Sequence, residues 1–169
     1  MFHCLWVLLL LLPLLAAGDD PAIHKFSVVT GISATAEDPV LHRFSVVRAD
    51  PVSTFIYIGT VSLSATPFLR LGSEFRAHYT AKVFPYFFSN ESGTMAVTVP
   101  EPALRRLAAG QPIEFSGTAT RTDGAIRTVE GTAAPTGPAG GRLKVKIHVT
   151  KKITLVFDTS YHLPIAEAH

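Results

Sequence analysis

The chain has 169 residues, 47% of them hydrophobic and only 17% charged, with a net charge of +2. That balance supports a packed core and excludes a disordered chain or one that grips nucleic acid through bulk charge. A single cysteine, Cys4, excludes a disulfide scaffold.

Residues 1–18, "MFHCLWVLLLLLPLLAAG", read as a secretory signal peptide. The apolar run at 5–17 is broken only by Pro13 and ends in Ala16-Ala17-Gly18. Cleavage after Gly18 places small residues where a signal peptidase needs them. The run is shorter than the roughly 20 apolar residues that span a bilayer, so no integral membrane span is expected after processing. The expected location is the periplasm or the extracellular space.

Residues 19–50 carry a duplication. "DPAIHKFSVV" at 20–29 returns as "DPVLHRFSVV" at 38–47, with conservative exchanges at the three differing positions. Each copy alternates like a strand, with Asp-Pro as a turn-forming lead-in. Two units are too few for a solenoid. The second copy runs directly into the rest of the chain, so 41–47 is expected to be an integral strand and 23–29 an added edge strand or loose arm. Equivalent His24 and His42 are weak metal-ligand candidates. A metal site needs a further ligand, and a solvated strand face beside Lys25 and Arg43 accounts for both.

Period-two alternation dominates the main domain, 51–164. Seven strands are predicted there: 54–65, 68–84, 94–99, 113–121, 126–133, 142–150 and 153–163. In the first, Phe55, Tyr57, Val61 and Leu63 share a face. In the second, Leu69, Leu71, Phe75, Ala77, Tyr79, Ala81 and Val83 do so, opposite Arg70, Glu74, Arg76, His78, Thr80 and Lys82. Residues 142–150 alternate without a fault. One apolar and one wet face on several strands argue for antiparallel sheets. Thr122-Asp123-Gly124-Ala125 is a hairpin turn signal, and "APTGPAGG" at 134–141 reads as a flexible surface connection. "PEPALRRLAAG" predicts one short helix starting near Pro102, stopped by Gly110, with Leu104, Leu107 and Ala108 on its apolar stripe. In the closing hairpin, pairing 149 with 153 keeps the apolar faces together and sets Lys144 opposite Asp158. Residues 165–169 form a C-terminal tail.

The expected fold is therefore all-β, an antiparallel β-sandwich or closed β-barrel of seven to nine strands with one short helix. No spacing suggests a catalytic triad, a zinc-protease motif or a phosphate loop. No cofactor is implied. A Met-rich copper site is excluded, because only Met95 remains after processing.

"VFPYFFSNESG" is the most unusual segment. Phe84, Tyr86, Phe87 and Phe88 make both faces of a strand end apolar, and Pro85 cannot donate to a ladder. These four are the candidate ligand- or partner-binding residues, as an aromatic rim or docking patch. The alternative is a strand buried on both sides beneath the helix. Asn90-Glu91-Ser92, in the same segment, is the one glycosylation sequon. Basic stripes at Arg142, Lys144, Lys146, His148, Lys151, Lys152 and at Arg70, Arg76, Lys82 suit anionic lipid headgroups, acidic glycans or plain solvent.

The functional expectation is an exported non-enzymatic β-domain that binds a lipophilic small molecule or an envelope or secreted protein. The alternative is a structural or assembly module of the cell envelope acting through a sheet edge. A hydrolase or a His-based metal-binding protein comes third.

Overall fold

The computed structural model of the chain describes residues 38–57 and 59–164. The predicted signal 1–18, the first repeat copy with His24 and the tail 165–169 lie outside these residues.

Asp38 opens the described chain as a helix cap. Its carboxylate accepts from the Val40 N–H at 2.9 Å, and Pro39 occupies the first turn of α1 (Pro39–His42). The strand expected at 41–47 is therefore a helical turn followed by a short strand, β1 (Val46–Ala49). Asp-Pro is a good helix start as well as a turn former, and here the capping bond decides. Leu41 and Phe44 are buried, so the second repeat copy supplies core.

Nine further strands follow: β2 (Val52–Ile56), β3 (Gly59–Ala65), β4 (Phe68–Leu71), β5 (Glu74–Phe84), β6 (Glu91–Thr98), β7 (Ile113–Arg121), β8 (Ile126–Gly137), β9 (Gly140–Thr150) and β10 (Ile153–His162). The helix α2 (Glu101–Ala108) lies between β6 and β7. Each strand from β5 to β10 pairs antiparallel with the next, and β1 closes the circle by pairing with β10 and β4. The result is a closed eight-stranded antiparallel barrel. β2 and β3 form a hairpin added along the upper edge of β5.

Two of the predicted strands prove to be hairpins. Residues 54–65 fold back at Tyr57, where Ile56 pairs with Gly59, and 68–84 fold back at Gly72, where Leu71 pairs with Glu74. A two-residue turn joins an odd position to an even one, so the inward face changes parity across it. Phe55, Tyr57, Leu69 and Leu71 consequently point outward and are exposed, while Val61, Phe75, Tyr79 and Val83 are buried as expected. Gly59 has φ +151°, and a Cβ there would lie 1.9 Å from the Phe84 carbonyl oxygen. Only glycine lets this hairpin sit so close to the end of β5.

From β5 onward the strands keep one parity, at two of the hairpins with the help of a bulge. Between β7 and β8, Arg121 N–H donates to the Ala125 carbonyl at 2.8 Å, and Gly124 takes φ +86° in a three-residue loop. The closing hairpin has the expected register, with Lys144 opposite Asp158, reached by a different route. Its turn has two residues, with Ile153 opposite Thr150, and a bulge at Val149 then restores Thr154 to His148. The bulge returns the odd positions to the core face that a two-residue turn alone would lose. The stretch at 134–141 is a correction too. It is paired, not a loose connection: Pro135 lies opposite Gly141 and Gly137 opposite Gly140. Arg43 and Leu163 hold its tip through the carbonyls of Pro138 and Ala139.

The core fills the barrel, as expected where eight strands leave an interior about wide enough for side chains. Phe44, Phe157, Leu104 and Val129 are its most enclosed large residues. α2 ends at Gly110 (φ +84°), whose N–H donates to the Leu107 carbonyl at 3.1 Å. It buries Ala103, Leu104 and Leu107 across one end of the barrel, with Phe44 beside them. Burying one such side chain contributes about 1.5–3 kcal/mol. A chain beginning at Glu37 keeps every element above and should melt like the full-length protein. A chain beginning at Pro51 lacks the closing strand and should fail to give a cooperative melt by circular dichroism. Equal melting of the two would contradict closure by β1.

Candidate functional site

α2 sits where β6 ends and β7 begins, so it covers one end of the barrel. The opposite end is built from four turns: the β2–β3 turn, the β5–β6 loop at 85–90, the β7–β8 loop at 122–124 and the β9–β10 turn at 151–152. The aromatic segment belongs to this turn end. It does not run beneath α2, which rules out the strand buried on both sides.

Local bonds shape the β5–β6 loop. It contains a cis Phe84–Pro85 peptide and a 3-10 turn at Phe87–Ser89, with Ser89 N–H donating to the Tyr86 carbonyl at 2.9 Å. The Asn90 side-chain oxygen accepts from Val83 N–H at 2.7 Å and ties the two strand ends together. Phe84, Phe87 and Phe88 are 63%, 64% and 85% exposed. Tyr86 is half-buried against the core. The rings meet edge to face, Phe84 with Phe87 at 5.7 Å and Tyr86 with Phe88 at 5.6 Å between centroids. Such contacts hold exposed rings in place.

Four further apolar side chains join them. Phe55 and Tyr57 project from the β2–β3 hairpin, which lies against Phe84 through the Thr60–Phe84 pair. Ile126 and Ile153 are exposed where β8 and β10 begin. Sequence reasoning missed these four. Ile126 was legible, since its even position is out of phase with the buried Val129 and Ala133. Phe55 and Tyr57 were hidden by the unseen hairpin, and Ile153 by the bulge at Val149.

Beneath this rim lies a polar layer. Glu91, Arg127 and Tyr79 occupy inward, odd positions on β6, β8 and β5. Arg127 holds the Glu91 carboxylate with both arms of its guanidinium, Nε to Oε1 at 3.1 Å and Nη2 to Oε2 at 2.8 Å, and Nη1 donates to the Val149 carbonyl at 2.7 Å. Tyr79 OH donates to Glu91 Oε1 at 3.3 Å, and Arg121 Nε stands 3.5 Å from Oε2. The hydrogen bond to Glu91 raises the Arg127 pKa above its ordinary value. Burial, reinforced by the neighbouring Glu91 charge, pushes the Tyr79 phenol up to about 12. Every charged group in this layer has a partner, so it seals the barrel under the rim.

The lumen offers little room. Its cavity of about 100 Å³ lies in the half nearer α2, between Phe44, Phe75, Val97, Leu104, Phe115 and Tyr161, and its wall is apolar. Small-molecule pockets usually hold about 300–1,000 Å³.

His42 ends α1 at the far side of the barrel and is exposed. Among the described residues, no three His, Cys, Asp or Glu side chains gather to hold a metal. His162 Nε2 lies 2.9 Å from an Asp50 carboxylate oxygen, and His148 Nδ1 lies 3.1 Å from the Thr154 hydroxyl. Arg142, Lys144 and Lys146 face outward from β9, and Arg76, His78 and Lys82 from β5. That charged outer wall is the reverse of the apolar band of a transmembrane barrel. Among the described residues, no helix is long and apolar enough to cross a membrane.

No protein-family model, curated protein or solved structure matches the chain.

The polar layer makes two measurable predictions. Glu91→Gln leaves the Arg127 charge enclosed without its counter-ion and should cost about 3 kcal/mol in urea unfolding. Tyr79 is neutral in the folded barrel up to about pH 12, whereas an unfolded tyrosine ionises near 10. Its contribution is therefore complete below pH 10 and is lost as pH rises from 10 toward 12. The melting temperature should fall across that window, and Tyr79→Phe should flatten the fall. An identical alkaline slope in the variant would contradict the buried phenol.

Proposed function

We propose that this chain is an exported, non-enzymatic β-barrel that binds a lipophilic partner at its turn end, through Phe84, Phe87 and Phe88 with Tyr86 as their anchor. The single observation that carries this reading is the gathering of seven exposed large apolar side chains, Phe55, Tyr57, Phe84, Phe87, Phe88, Ile126 and Ile153, on the turns of one barrel end. Exposed apolar surface concentrated in one place marks an interaction site. The segment at 1–18 supports export.

A ligand held in the lumen has less support, because the cavity of about 100 Å³ is smaller than an ordinary lipophilic molecule needs. An assembly module acting through an open sheet edge has, among the described residues, only the short strand β2 to offer, since the strands of the barrel are closed on one another.

The double substitution Phe87→Ser/Phe88→Ser tests the reading. Both rings are mostly exposed, so the melting temperature should stay within a few degrees of the parent. Retention of a lipophilic probe such as a fluorescent fatty acid should be lost. Unchanged retention would contradict the proposal, and an unfolded double variant would show that the rings are core.

A further inference from the structure

Resting on that reading, we infer that the lipophilic partner is an anionic bilayer surface, and that the turn end docks on it as a peripheral membrane anchor. Two features separate a bilayer from a small hydrophobic ligand. First, the apolar side chains do not converge on a cavity. They stand at separate turns, Phe55 and Tyr57 on one hairpin, Phe84, Phe87 and Phe88 at the next loop, Ile126 and Ile153 beside two more. The lumen cavity is lined by other residues. Side chains spread around the end of a cylinder meet a plane together, which one small molecule cannot do.

Second, the same end is basic. Within three residues of its four turns lie Lys82, Arg121, Arg127, Lys151 and Lys152, against the acidic Glu91 and Asp123 alone. Both acids are taken up by arginines, Glu91 by Arg127 and Asp123 by Arg121 at 3.1 Å. Lys82, Lys151 and Lys152 are exposed and have no acidic partner among the described residues. Amphipathic lysines flanking exposed aromatics are the combination that settles at a lipid headgroup layer, rings at the acyl boundary and ammonium groups among phosphates. Each lysine near an anionic leaflet strengthens binding by roughly fivefold.

The geometry fixes the orientation. The barrel axis stands away from the membrane, α2 faces the solvent, and the charged outer wall of β5 and β9 stays in water. The polar layer of Glu91, Arg127 and Tyr79 lies behind the inserted rim.

The test is co-sedimentation of the purified protein, as processed by its own host, with vesicles of phosphatidylcholine alone and of phosphatidylcholine mixed equally with phosphatidylglycerol. Binding should be confined largely to the anionic vesicles and should weaken at molar salt, where the Debye length falls to about 3 Å. Lys151→Glu/Lys152→Glu should weaken it on the order of 30-fold or more, and Phe87→Ser/Phe88→Ser on the order of 100-fold. All variants share one N-terminus, so binding through the apolar segment at 5–17 would survive both substitutions and overturn the inference. Equal binding to neutral vesicles overturns the anionic surface and leaves the lipophilic reading standing. So does a fatty-acid probe that is held, and lost in the phenylalanine variant, when no vesicle is bound. Failure with vesicles and probe alike, or a stoichiometric protein partner in their place, removes both.

Discussion

The barrel depends on the pairing of one short strand. β1 holds four residues, yet among the described residues it is the strand whose ladder joins the last strand to β4, through Arg48 and Ala49 to β10 and through Val46 and Val47 to β4. Without it the meander is an open sheet with an apolar face and two free edges, the arrangement that folded proteins avoid. Neighbouring groups support it. Asp50 N–H donates to the Ser160 carbonyl at 3.0 Å, the Thr159 hydroxyl donates to the Asp50 carbonyl at 2.9 Å, and His162 meets the Asp50 carboxylate. Strand structure is then interrupted at Asp50-Pro51, as it is in the neighbouring strand at Thr66-Pro67. β1 and β4 close the barrel on one side of the two breaks, and β2 and β3 continue on the other as the hairpin that carries Phe55 and Tyr57.

Closure also explains why the two barrel ends differ. At one end the chain enters with α1 and crosses with α2, and Leu41, Phe44, Leu104 and Leu107 fill the opening. Arg105 pairs with Asp38, and Arg70 reaches both Glu101 and the Leu41 carbonyl, so the helices are bound to each other and to β4. Among the described residues, the other end has turns alone. Arg127 and Glu91 form a satisfied layer there, and no described residue covers the apolar side chains beyond it. The described barrel thus has one end filled by helices and one that presents apolar side chains.

Alternation made most of the fold legible, and turn geometry decided where it failed. β5 to β10 could be read because their turns, two of them corrected by bulges, preserve odd-numbered inward positions, and because Asp123-Gly124 and Gly110 mark their stops. The α2 stripe of Leu104 and Leu107 was equally plain. The early hairpins were not, since the parity change at Tyr57 and Gly72 is invisible when alternation is simply continued through the turn. The same error assigned Phe55 and Leu69 to the core. α1 was lost because Asp-Pro starts a helix as readily as a turn. Of the candidate site, the aromatic cluster was visible as composition, but its exposure was not, because exposure follows from which end α2 covers. Glu91 and Arg127 were within reach of parity alone, as inward charges that must meet.

The central claim is that the turn end is the working surface and that the rest of the barrel supports it. Hydrogen–deuterium exchange with and without anionic vesicles tests this over the whole molecule at once. Slowed exchange confined to peptides covering the β2–β3 turn, residues 84–90, 122–126 and 150–153, with the α2 end unchanged, is the result this account predicts. Protection centred on α2 and residues 134–141, or an unaltered pattern throughout, would contradict it.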